Sequence, residues 1–145
     1  MINEIILLAG LATAAWTDGR SRRIPNGLLL VLFFARIPLL LCGFGSLSAS
    51  LAGMATLGGL LFSLYLFFPG GIGAGDVKLF AVTGFYLGAE EALTVLFLAM
   101  TGALTFGLFA RFRGGRKQGK GIAIAPFALA SCVILLLLYG KIPFL

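Results

Sequence analysis

The chain is 145 residues long, 60% hydrophobic and 11% charged, with a formal net charge of +6 and no histidine. Soluble domains carry about 25% charged residues, so this composition excludes a surface that faces water throughout, and lipid must solvate much of the molecule. The lack of histidine excludes Ser–His and Cys–His nucleophile pairs and histidine-ligated metals, and the length sets a single domain, residues 1–145.

Six apolar segments are predicted, at about 2–17, 26–42, 47–68, 76–88, 92–110 and 122–139. Stretches of roughly 20 apolar residues are enough to cross the hydrocarbon core as helices. In lipid every backbone N–H and C=O must be satisfied internally, which favours helices. The alternation of a membrane barrel is absent. The expected fold class is therefore an all-α membrane protein with six transmembrane helices.

The first segment opens with Glu4 and no basic residue, and its cluster Arg20, Arg22 and Arg23 comes after the apolar run. That order indicates a retained helix rather than a cleaved signal. The second follows Pro25 and contains Arg36. A membrane arginine is usually functional or paired, but here it is expected to snorkel toward the outer interface, aided by a break at Pro38. The third ends at Pro69-Gly70-Gly71. The fourth is short: about 13 residues of helix span only about 20 Å. It is expected to cross as a tilted, locally thinning or broken helix, with a re-entrant segment as the alternative. Lys141, beyond the sixth segment, is expected to snorkel to the headgroups. Cys42 and Cys132 lie in different segments and outside any CxxC, so they read as two buried free thiols without metal or redox work.

Charge sets the orientation. Arg20, Arg22, Arg23, Lys78, Arg111, Arg113, Arg116, Lys117 and Lys120 make nine of the eleven basic residues. All nine fall on one side if the six segments alternate. The positive-inside rule makes that side cytoplasmic and places both termini outside. The loops at 42–46 and 88–91 contain no Lys or Arg. Topology and anionic headgroups account for the positive charge, so no nucleic-acid partner is expected.

Of five acids, Glu4, Glu90 and Glu91 fall outside, and Asp18 and Asp76 fall on the cytoplasmic side. Asp18 stands in Thr17-Asp18-Gly19-Arg20, at the C-terminal end of the first segment. The helix dipole disfavours a carboxylate there, so it should lean to the protonated form or need a cation such as Arg20 or Arg22. Asp76 stands in Gly73-Ala74-Gly75-Asp76, at the start of the fourth segment, where the dipole favours the ionised form. Such an asymmetry suits general acid–base chemistry on water. Two carboxyls that meet would share one proton, and activity should fall at low pH when both are protonated. Each feature also has an ordinary structural use: Asp76 as an N-cap, Asp18 as a solvated charge, the glycines as a tight turn or close packing.

Asp18-Gly19-Arg20-Ser21-Arg22-Arg23-Ile24-Pro25-Asn26 resembles the first signature of the type IV prepilin peptidases. Gly73-Ala74-Gly75-Asp76-Val77-Lys78-Leu79 resembles their second, GxGD with a Val-Lys-Leu run, and Ile124-Ala125-Pro126-Phe127-Ala128 resembles a Pro-containing stretch that opens the last helix. Fifty-eight residues separate the aspartates, room for two crossings. The resemblance covers essentially the whole chain and implies one transmembrane aspartic peptidase domain. It would remove the leader from prepilin-like proteins at the cytoplasmic face of the inner membrane, with Asp18 and Asp76 as the catalytic pair. No metal or cofactor is implied; the partners are the prepilin-like substrate and the lipid bilayer. Gly73 and Gly75 would let the substrate backbone approach. Pro25 and Asn26 would fix the entry into the second helix, with Asn26 a candidate cap. Lys78 would snorkel or balance the aspartates, Arg20 would compensate Asp18, and Pro126 would open the last helix. The chain resembles the short form that lacks the cysteine-containing N-terminal region and serves Flp-type pili, so N-methylation is not expected; archaeal preflagellin peptidases are a related possibility. Two competing readings remain: a small channel, carrier or assembly subunit using the aspartates for cations or protons, and a Ser–Lys protease using Lys78 with Ser21 or Ser63.

Overall fold

The computed structural model describes residues 2–21, 24–68, 72–112 and 124–139, with the backbone alone at 110 and 111. Six helices make up the described chain: α1 (Ile2–Ser21), α2 (Asn26–Leu41), α3 (Leu47–Phe67), α4 (Ala74–Leu87), α5 (Ala89–Phe112) and α6 (Ala125–Leu138). No strand occurs among the described residues.

Among the described residues two stretches are long and apolar enough to cross a membrane, Leu47–Phe67 and Ala89–Phe109, and α2 and α6 are apolar but shorter. Large apolar side chains point outward along the bundle: Leu30, Phe62, Leu66, Phe97, Leu104 and Phe112 are all exposed. Water does not tolerate so continuous an apolar surface, and lipid does.

α4 is short, as expected, and one unbroken helix, which removes the broken form among the three expected. It touches α1, α2, α3 and α5, and eight of its residues, from Val77 to Tyr86, are buried. A helix enclosed by its neighbours need not match the hydrocarbon thickness, because protein rather than lipid satisfies its ends. α3 and α4 are the most intimately packed pair. Gly53 and Gly84 meet backbone to backbone, and a Cβ on either would enter the other's main chain. Small residues permit this close approach of helices. Gly88 alone joins α4 to α5, at φ 85°, where a side chain is strained. Glu90 and Glu91, expected in a loop, therefore lie in the first turn of α5. α6 packs against α1 and α5, and Leu11, Leu57, Phe80, Val95 and Cys132 meet in the core.

Three further expectations are corrected at the end of the bundle away from Asp76. Arg36 does not snorkel: it is only 3% exposed. Its Nη1 donates to the Phe44 carbonyl at 3.1 Å and its Nη2 to Ser50 Oγ at 3.2 Å. Its guanidinium lies 5.3 Å from the Tyr86 ring centroid. The α2–α3 turn and the first turn of α3 supply acceptors inside the fold, which a buried cation needs more than it needs the interface. Nor does Pro38 break α2, which runs on to Leu41. Cys132 is buried and free as expected, but Cys42 is exposed at the end of α2. Lys141 and most of the 111–120 basic cluster lie outside the described residues.

Candidate active site

α1 continues past Thr17 to Ser21, so Asp18 stands within the helix rather than beyond it. Its side chain is 6% exposed and turned into the bundle. There Asp18 Oδ2 accepts a hydrogen bond from the Ala125 backbone N–H at 3.3 Å. Ala125 is the first residue of α6, where N–H groups have no partner within the helix. Pro126 follows in the first turn and brings no N–H of its own. A helix N-terminus is well suited to hold a carboxylate. The expected compensating cation is thus replaced by a backbone donor. Arg20 is exposed and makes no ion pair among the described residues, and Arg22 lies outside them.

Asp76 comes from α4. Gly73 occupies the N-cap position and accepts the Asp76 N–H at 3.0 Å. Asp76 is therefore in the first turn and not the cap.

Asp18 and Asp76 open onto one cleft of about 410 Å³, whose walls are completed by Ile24, Asn26, Lys78 and the 73–75 backbone. The glycines differ. A Cβ on Gly73 would lie 3.1 Å from Asp76 Oδ2, whereas one on Gly75 would make ordinary contact with Ile24 at 3.5 Å. Asn26 does not cap α2, since Pro25 holds the cap position. Its Oδ1 instead accepts a hydrogen bond from Lys78 Nζ at 3.1 Å, tying α4 to the start of α2. Lys78 is thus held at the cleft. Ser21 and Ser63 donate to carbonyls of their own helices, and neither faces Lys78 across a hydrogen bond.

Two participants escape sequence reasoning, the Ala125 N–H and Ile24. A backbone donor carries no residue-type signal, although Pro126 marks the helix start that exposes it. The arrangement provides two carboxyls opening onto one cleft at the bundle mouth. Among the described residues no cluster of acids or cysteines could hold a metal ion.

A sequence profile described as the type IV leader peptidase family matches residues 5–108. Over 139 residues the chain is 32% identical to a prepilin leader peptidase/N-methyltransferase of Bacillus subtilis (strain 168), covering 94% of this chain and 55% of that protein. Over 132 residues it is 34% identical to a protein of the same name in Burkholderia pseudomallei, strains 1026b and K96243, covering 86% of this chain and 42% of that protein. The chain thus spans about half the length of the curated relatives it matches. No solved structure matches it.

Proposed function

Because the chain belongs to the type IV leader peptidase family, we infer that it is a membrane aspartic endopeptidase that removes the leader from a prepilin-like, Flp-type substrate. The observation that carries the mechanism is the single cleft onto which Asp18 of α1 and Asp76 of α4 both open. The two carboxyls share one proton. Asp18, fixed by the Ala125 N–H, acts as the base and takes a proton from water as the oxygen attacks the scissile carbonyl carbon. Asp76 gives its proton to the carbonyl oxygen, forming a tetrahedral diol. As the C–N bond breaks, Asp18 returns its proton to the leaving amine, and a diol hydroxyl restores the proton on Asp76. Both carboxyls end as they began.

The six helices cross the inner membrane, residues 1–145 form one peptidase domain, and the cleft faces the cytoplasm with both termini outside. Support comes from the basic residues around the 20–23 and 111–120 ends. The decisive experiment is cleavage of a prepilin-like precursor by the purified chain in liposomes. Asp18→Asn and Asp76→Asn should each lower cleavage by at least a thousandfold while leaving the helical content intact. Wild-type rates in either variant would remove that residue from the chemistry.

A further inference from the structure

Beside the aspartate cleft lies a second space of about 400 Å³ between α2 and α4. Its walls are apolar: Leu29, Leu30 and Phe33 of α2 face Ala81 and Val82 of α4. Asn26 and Lys78, the hydrogen-bonded pair, line both spaces, so the groove is continuous with the cleft and this pair forms the rim between them. From Asn26 to Phe33, α2 rises about 10 Å, so the groove descends from the polar mouth into the apolar depth of the bundle. Its floor is firm, because the Phe33 ring stacks on Phe85 with centroids 5.1 Å apart. Leu30, 56% exposed, stands at its open side.

The proposed reaction has a particular demand. A membrane-anchored polypeptide cut at the mouth is polar on one side of the scissile bond and apolar on the other, where it enters the bilayer. Its apolar part needs a lipid-accessible path that starts at the aspartates. The α3 side of α4 is closed at this depth, where Gly58 packs against Ala81. The α2–α4 groove starts at the cleft, is apolar and opens sideways.

We propose that this groove is the subsite for the apolar segment of the substrate next to the scissile bond. The Lys78–Asn26 pair is the rim at which the chain passes from polar cleft to apolar groove. This assignment rests on the peptidase reading above. Leu30 thereby becomes a specificity-determining position. A Trp there closes the open side without disturbing the core, since the side chain already projects outward.

The test uses the full chain in liposomes and two substrates. One is a prepilin-like precursor that the wild type cuts, and the other is the same precursor with the eight residues beyond the cut replaced by Ser and Gln. Leu30→Trp should lower kcat/KM on the first at least tenfold, through KM, and on the second by less than twofold. Leu51→Trp, on the exposed face of α3, should change neither. Equal losses on both substrates, or none, would overturn the assignment. A second measurement places a single cysteine at position 30 in the Asp18→Asn background, with Cys42 and Cys132 replaced by Ala. Disulfide capture of a cysteine one to four residues beyond the cut supports the subsite. Its failure while the precursor still co-purifies with the enzyme gives the groove to a lipid chain and overturns the proposal. If the wild type cuts no precursor, the peptidase reading fails. If it cuts and only Leu30→Trp is without effect, the groove assignment alone fails.

Discussion

Asp76 stands in the first turn of α4, directly after Gly73 and Gly75 in the chain.

The two glycines of the same turn separate at this scale. Gly73→Ala places a methyl 3.1 Å from Asp76 Oδ2, so the carboxyl must shift by a few tenths of an ångström. Gly75→Ala meets Ile24 at an ordinary distance inside a helix, where Ala is favoured by about 0.5–1 kcal/mol. Cleavage should fall at least tenfold in the first, while the second should keep its rate to within about threefold and gain slightly in thermal stability. Rates that move together would mean that both glycines serve only the turn.

At the scale of elements, the contact between α3 and α4 decides where Asp76 stands. α4 carries the aspartate at one end and is seated on α3 by Gly53 and Gly84, whose backbones touch. Gly84→Val inserts three carbons where not even a Cβ fits. Overpacking of this kind costs about 1–3 kcal/mol or more, and here the obstacle is backbone, which cannot rotate aside. The variant should yield little folded protein, or protein whose melting temperature falls by many degrees. Near-normal stability would mean that the two helices sit farther apart than described. α6 acts as an element too: its first N–H meets Asp18, joining residues 107 positions apart, so the last helix positions a carboxyl on the first.

For the whole molecule, the native cysteines report the orientation. Cys42 is exposed at the end of α2 opposite the cleft, and Cys132 is buried. On the proposed topology, a membrane-impermeant maleimide should label Cys42 in right-side-out vesicles and leave Cys132 unlabelled. An Arg20→Cys variant should gain a second label only when the vesicles are inverted. Labelling at position 20 from outside would reverse the proposed topology and move the cleft to the other face.

The amino-acid sequence by itself determined the helical class, the number of apolar segments and the placing of Asp18 and Asp76 at the same end. Those properties follow from composition, from runs of apolar residues and from alternation of ends along the chain, and all are read locally. Only the tertiary structure decided that a backbone N–H of α6 meets Asp18, that Arg36 turns inward to Phe44 and Ser50, and that α4 is enclosed by its neighbours. Burial and hydrogen-bond partners depend on which distant segments pack together. That free energy resides in contacts between helices, which no window along the chain contains.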